Sequence, residues 1–142
     1  MDHITFGLSE DLGKLPEAAE IRRKVFMEEQ GFENEFDDTD SISLHCVLYC
    51  GGKSAAAGRM YGEGSLAHIG RIAVLKEYRG KGLGSLMMNE LEKQARERGY
   101  TGTALSAQCR AQRFYEANGY TARGDIYADE GVPHIMMYKD LM

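Results

Sequence analysis

A strand that runs through a glycine-rich loop straight into a helix constrains this chain more than any other feature. The segment covers residues 69–99, and its loop is Arg-Gly-Lys-Gly-Leu-Gly at 79–84. From Gly82 onward, apolar residues recur at the three- and four-residue spacing of an amphipathic helix, and Gly99 ends that helix. A buried strand joined to an amphipathic helix in this way indicates a mixed α/β fold.

The loop at 79–84 has the chemistry of an anion site. Glycines at alternate positions let a ligand approach the backbone, and the first amides of a helix lack hydrogen-bond partners and lie at its positive end. Arg79 and Lys81 add two full charges. The whole chain carries 17 basic and 22 acidic residues, a net charge of −5, which argues against general binding to nucleic acid or to an anionic membrane. The sequence therefore predicts a local site for a diphosphate.

Two common phosphate motifs do not match this loop. A P-loop would need glycine at the position of Leu75 and Ser or Thr after Gly-Lys, where this chain has Gly82. A dinucleotide fingerprint reads G-x-G-x-x-G, whereas the loop reads G-x-G-x-G in a chain too short for six parallel strands. A dinucleotide-binding oxidoreductase remains an alternative, and stabilisation of the chain by NAD(P) would favour it.

The other hydrophobic patterns complete one domain, residues 1–142, with the order β-α-βββ-α-β-α-ββ. The stretch from residue 28 to 40 holds seven acids and no Lys or Arg, and it is expected to be a loop or broken helix. It is either a solvated face or a surface that recruits a cationic amine. We expect strands over 2–8, 42–49, 54–64, 65–75, 101–107, 120–129 and 132–141, and helices from residue 16 to near 31, over 82–99 and over 111–118.

The chain shows no sign of secretion, membrane insertion or metal binding. It has no apolar run of about 18 residues, and its N-terminus has neither a basic start nor an apolar core. Three cysteines cannot all pair with one another, so we expect free thiols and a cytoplasmic protein. Cys46 and Cys50 share one strand face as buried small residues, and no metal is expected.

Two motifs resemble the GCN5-related N-acetyltransferase (GNAT) family. The loop at 79–84 is similar to that family's R/Q-x-x-G-x-G/A pyrophosphate loop. Softer matches near residues 23–30 and at 132–135 resemble the ElaA and YjcF branch, and the resemblance spans residues 21–140. Downstream, the family pattern Ala-x-x-aromatic-Tyr-x-x-x-Gly-aromatic is met by Ala111, Phe114, Tyr115, Gly119 and Tyr120.

The resemblance implies a strongly bent sheet and an enzyme that binds acetyl-CoA as co-substrate in a V-shaped opening between two strands. It implies direct transfer of the acetyl group to a primary amine of a small molecule or peptide, and it leaves a homodimer open. Gln108 stands where the family often has an Asn that contacts CoA. The cofactor-binding residues implied are Ile72, Ala73, Val74, Arg79, Gly80, Lys81, Gly82, Leu83, Gly84, Ser85, Gln108 and Tyr115.

Acyl transfer to an amine requires a neutral amine and a stabilised leaving thiolate. An amine of pKa about 10.4 costs roughly 4.6 kcal/mol to deprotonate at pH 7, so a base or water relay is useful, and Glu29 is our candidate for the relay. Tyr115, by its match to the family tyrosine, would assist the leaving thiolate, although both tyrosines of its motif could simply pack in the core.

Three residues are candidates for the acceptor site. They are Glu28, in the acidic run; His134, whose Pro-His-Ile context belongs to the resemblance; and Arg71, which is either a substrate contact or a structural ion-pair partner. The acceptor itself stays open among amino sugars, polyamines, peptide N-termini and antibiotics. A CoA-binding sensor or partner module without catalysis is the alternative function.

Overall fold

The computed structural model describes residues 3–33 and 35–142. All seven strands form one sheet in the order β1-β2-β3-β4-β5-β7-β6, antiparallel except between β4 and β5. The mixed α/β architecture expected from the sequence is confirmed. The strands are β1 (Ile4–Ser9), β2 (Leu44–Cys50), β3 (Lys53–Glu63), β4 (Leu66–Val74), β5 (Gly102–Gln108), β6 (Thr121–Asp129) and β7 (Val132–Asp140), and the α-helices are α1 (Pro16–Arg22), α2 (Leu83–Glu97) and α3 (Gln112–Ala117).

The element order follows the prediction, with two main differences. The first helix changes after Arg22 into a π-helical stretch, Arg23–Glu29, where a single helix was expected. The second strand begins at Leu44 because Asp38–Ile42 forms a 3₁₀ turn capped by Asp37. Residues 1, 2 and 34 lie outside the described residues, and so do the predicted start of the first strand and one position of the acidic stretch.

Helices cover both faces of the sheet, so its central strands are buried on both sides. On β2, Cys46 and Leu48 pack in a cluster with Met87 of α2, whereas Val47 packs in a second cluster with Ile21 of α1. Alternate residues of β2 therefore pack into two hydrophobic layers, one on each face of the sheet, and neither face is exposed to solvent. Within the described residues, no helix is long and apolar enough to cross a membrane.

The sheet opens between β4 and β5. Their parallel pairing covers only Leu66–His68 against Gly102–Ala104, although β4 continues to Val74 and β5 to Gln108. The two strands therefore diverge, which gives the V-shaped opening expected from the resemblance.

A β-bulge lies on β4 beside this opening. Ala57 of β3 pairs with Ala73 and Arg59 pairs with Gly70, so two residues of β4 stand opposite Gly58. One of the two is Arg71, whose φ is 51°, a rare value for a residue with a side chain. Bulges bend a strand and redirect its side chains and amides, and they are frequent beside active sites.

Candidate active site

A cavity of about 820 Å³ occupies the opening between β4, the start of α2 and α3. Most of the residues expected to hold a cofactor line it. Lys81 does not, and its ammonium lies over the ring of Tyr78, 5.5 Å from the centroid. Gln108 lines the neighbouring cavity instead. The expected residues that do line the larger cavity are Ile72, Ala73, Val74, Arg79, Gly80, Gly82, Leu83, Gly84, Ser85 and Tyr115.

The glycines of the loop leave its backbone open to this cavity. Gly80 and Gly82 have φ values of 80° and 76°, and a Cβ built on either would meet no atom within 4 Å. Helix α2 starts at Leu83 without a side-chain cap. The first amides of α2 are thus free to bind an anion in a cradle that side chains would fill.

Gly84 has a packing role. A Cβ there would lie 3.0 Å from Cζ of Phe114, so the missing side chain lets α3 approach the start of α2. This approach places Tyr115 at the edge of the cavity.

Arg79 is tied to the wall of the cavity by Glu29. Its Nη1 and Nη2 donate to the two carboxylate oxygens of Glu29 at 2.9 and 2.7 Å, and its Nε donates to the Val74 carbonyl at 2.9 Å. The hydrogen bonds from Arg79 lower the pKa of Glu29. Glu29 therefore lines the larger cavity as a weakly basic carboxylate, away from the neighbouring cavity. Glu28 pairs with Arg23 and lines neither cavity.

The diverging strands expose peptide groups to the same opening. Beyond His68 and Ala104, the described residues of β4 and β5 have no ladder between them. On its other side, β5 pairs with β7 along its whole length. Backbone N–H and C=O groups are stable when they are hydrogen-bonded. An extended ligand could therefore pair with the two facing strand edges, which are residues 69–74 and 105–108.

A second cavity of about 560 Å³ adjoins the first. Both are lined by Gln30, Ile72, Arg110, Ala111 and Tyr115, which mark the junction. The side chains that line only the second cavity come from the stretch after α1, the β4 bulge, β5 and the β6–β7 turn. They include Phe26, Phe32, Glu35, Asp37, Arg71, Ser106, Gln108, Asp129, Glu130 and His134.

Tyr115 is the aromatic residue that both cavities share. Edge-to-face contacts hold its ring, with centroids 5.0 Å from Phe114 and 6.1 Å from Tyr120. Burial raises the pKa of Tyr115 to about 12. The phenol therefore stays protonated at neutral pH, as a donor at the junction.

An arginine-carboxylate network, which sequence reasoning missed, holds the acidic stretch against the sheet. Arg71 pairs with Glu35 at 3.1 Å and with Asp37 at 3.3 Å, and its side chain also lines the second cavity. Arg71 is thus an ion-pair partner that also faces the cavity, and its contact with a substrate stays a prediction. The network also contains the pairs Arg22 with Glu35 (2.7 Å) and Asp40 (2.8 Å), and Arg59 with Asp37 (2.8 Å) and Asp40 (2.7 Å).

This network anchors three of the seven acids of the stretch, Glu35, Asp37 and Asp40. Burial raises the pKa of Glu35 despite its bond from Arg22. For Asp37, burial opposes ionisation, but the bond from Arg59 prevails and the pKa is lowered. The only sequence signal was the presence of arginines at positions 22 and 59, within otherwise apolar faces.

Comparison with known proteins identifies relatives over nearly the full length. Residues 14–141 match the acetyltransferase (GNAT) domain. The uncharacterised N-acetyltransferase YjcF of Bacillus subtilis is 38% identical over 130 residues, which are 89% of this chain and 93% of YjcF.

Solved structures agree with this match. An acyl-CoA N-acyltransferase from Pseudomonas aeruginosa superposes with a TM-score of 0.84 at 25% identity, covering 96% of this chain and 99% of that one. ElaA of Escherichia coli shares the fold, with a TM-score of 0.83 at 23% identity over 98% and 99% of the two chains.

Proposed function

Because this chain belongs to the acetyltransferase (GNAT) family and is an acyltransferase, we propose that it transfers an acetyl group from acetyl-CoA to a primary amine. The amine would belong to a small molecule or a peptide, and both substrates would be bound at once. The observation that carries this proposal is the junction of two cavities at Tyr115, at the point where β4 leaves β5.

The residues of the larger cavity fit CoA. The cradle of Gly80 and Gly82 and the uncapped start of α2 would bind the pyrophosphate. The open edge of β4 at Ile72 and Ala73 would pair with the amides of the pantetheine arm. The carbonyl oxygen of Val74 already accepts a hydrogen bond from Nε of Arg79, which limits the contribution of Val74 to binding the pantetheine arm. When bound, acetyl-CoA supplies an activated thioester.

Tyr115 would assist the departing sulfur mainly by a hydrogen bond. Its pKa of about 12 exceeds that of an ordinary thiol, about 8.5, so donating its proton outright is uphill by about 5 kcal/mol at 1.36 kcal/mol per pKa unit. A hydrogen bond, or a relay in which the phenol regains a proton as it gives one, avoids this cost.

The second cavity would bind the acceptor amine. Arg71 and His134 line it and would contact the acceptor, whereas Glu28 lies elsewhere. At the junction, the acceptor nitrogen would meet the thioester between Ile72 and Tyr115. Backbone amides at the β4 bulge are the donors that would stabilise negative charge on the carbonyl oxygen.

The experiment is a screen of amines with acetyl-CoA, in which thiol release is measured. The panel holds spermidine, glucosamine, kanamycin and a tripeptide with a free N-terminus. We expect release with at least one of them. Binding of CoA without release from any amine would contradict the proposal and favour a non-catalytic CoA-binding module.

Tyr115→Phe tests the role of the phenol. We expect kcat to fall at least tenfold, with the dissociation constant of CoA within twofold of wild type. Tyr61→Phe is the control, because Tyr61 stacks on His68 and lines neither cavity of the site. An unchanged kcat in Tyr115→Phe would remove the phenol from the mechanism.

A further inference from the structure

The imidazole of His134 is held in the wall of the acceptor cavity in a defined tautomer. His134 is 7% exposed, and its Nδ1 lies 2.8 Å from the carbonyl oxygen of Val132. A carbonyl can only accept a hydrogen bond, so Nδ1 carries the proton of the neutral ring. The lone pair is therefore at Nε2.

Nε2 opens to the cavity. Among the described residues, every buried side-chain nitrogen or oxygen has a hydrogen-bond partner, and the bond that His134 makes within them is the one through Nδ1. Nε2 is therefore not sealed in the protein. Because His134 lines the acceptor cavity, this nitrogen is accessible from there.

The ring is also fixed in orientation. Tyr127, which faces His134 across the β6–β7 ladder, stacks on the imidazole with centroids 6.1 Å apart and planes at 26°. The Tyr127 hydroxyl is itself hydrogen-bonded to Oγ of Ser106. A group held in this way is preorganised for proton transfer.

Three carboxylates around the two cavities are engaged elsewhere. Glu35 and Asp37 are bound by arginines of the network, and Glu29 is bound by Arg79 on the cofactor side. The charged or titratable groups that line the cavity with His134 are Glu35, Asp37, Arg71, Arg110, Tyr115, Asp129 and Glu130.

Resting on the proposed function, we propose that Nε2 of His134 is the general base that takes a proton from the acceptor ammonium. The assignment goes beyond a substrate contact for His134. The imidazolium formed is stabilised by its Nδ1 bond to Val132.

His134 takes one proton from the ammonium, and the neutral nitrogen then forms the N–C bond to the thioester carbonyl carbon. The C–S bond breaks with its electron pair on sulfur. Tyr115 gives its proton to the sulfur and regains one from the acylated nitrogen. The products are the amide, CoA thiol and one proton on His134, which passes to water.

The kinetic test is His134→Ala with imidazole rescue, using acetyl-CoA and the fastest amine of the panel. General bases contribute about 10²- to 10⁴-fold, so we expect kcat to fall at least 100-fold. Imidazole at 50 mM should restore at least tenfold, and CoA should bind within twofold of wild type. His68→Ala is the matched control, because His68 stacks on Tyr61 outside both cavities.

Two further readouts separate a base from a structural residue. In wild type, log kcat/KM should fall with unit slope on the acid side and level off below the pKa of the amine. In His134→Gln it should instead rise with unit slope up to the pKa of the amine, because only the neutral amine then reacts; this variant also serves if the alanine variant does not fold. Nitrogen NMR of the wild type at pH 8 should find the His134 proton on Nδ1.

Three results would overturn the assignment. They are a kcat of His134→Ala within threefold of wild type, a loss that imidazole does not restore, or a proton on Nε2. So would a pH profile of His134→Gln that keeps both the acid limb and the plateau of wild type, which would shift the role to a carboxylate. If wild type releases no thiol with any amine, the proposed function itself fails, which is a distinct result.

Discussion

Asp40→Asn removes one negative charge from the point where two buried arginines meet. Asp40 accepts from Nη1 and Nη2 of Arg22 at 2.8 and 3.2 Å and from Nη1 of Arg59 at 2.7 Å. Its side chain is 11% exposed. Its loss would weaken the attachment of the acidic stretch, whose residues Glu35 and Asp37 line the second cavity.

The magnitude follows from the pKa of Asp40. Burial alone would raise it, but the bonds from Arg22 and Arg59 prevail and hold it at about 2, below the ordinary 3.8. At about 1.36 kcal/mol per unit, the ionised group contributes about 2 kcal/mol of folding stability at pH 7. Because the pKa is lowered on folding, this contribution is complete above about pH 5 and is lost as the pH falls towards 2. At pH 3 about 1 kcal/mol remains.

The assay is urea unfolding at pH 7 and pH 3, followed by circular dichroism because the chain has no tryptophan. We expect Asp40→Asn to lower the free energy of unfolding by about 2 to 3 kcal/mol at pH 7, since two arginines lose a partner. The difference from wild type should shrink by about 1 kcal/mol at pH 3.

Asp38→Asn is the matched control, because Asp38 is exposed and forms no ion pair among the described residues. It should change stability by less than about 0.5 kcal/mol. A loss below about 0.5 kcal/mol in Asp40→Asn, or one that is equal at both pH values, would refute the reasoning.

Two further substitutions test the packing around the site. Tyr120→Phe removes a hydroxyl that is hydrogen-bonded to Thr103 at 2.7 Å and to Glu92 at 2.9 Å. Thermal unfolding should show that the free energy of unfolding falls by about 1 to 3 kcal/mol. An unchanged unfolding midpoint would contradict this expectation. Gly58→Ala places a Cβ 2.8 Å from Cδ1 of Ile72 at the β4 bulge. This substitution should lower the free energy of unfolding by about 1 to 3 kcal/mol and weaken CoA binding. Wild-type stability together with wild-type affinity for CoA would contradict this expectation.

The order of the elements and the position of the glycine-rich loop before α2 could be predicted because both depend on local patterns. The apolar spacing after Gly82 and the alternate glycines are encoded within a few residues of one another. The splayed strands followed from the family resemblance, not from any pattern within β4 or β5.

Contacts between distant residues could not be predicted in the same way. Arg79 and Glu29 are 50 positions apart, and nothing local in either segment shows that they pair. Seven acids in 13 positions suggested a solvated face, but Glu35 and Asp40 are partly or fully buried against Arg22, which belongs to a helix. The charges of the stretch acquire their role only when α1 and β3 bring arginines to it.

Calorimetric titration of CoA into wild type, Gly82→Ala and Gly64→Ala tests the central claim most directly. Gly64, in the β3–β4 turn, has a φ of 61° and open space around it, so its alanine variant carries similar backbone strain away from the loop. We predict one CoA per chain in wild type, affinity within twofold of that in Gly64→Ala, and at least tenfold weaker binding in Gly82→Ala. Absence of CoA binding to wild type, or equal affinity in Gly82→Ala, would contradict the account.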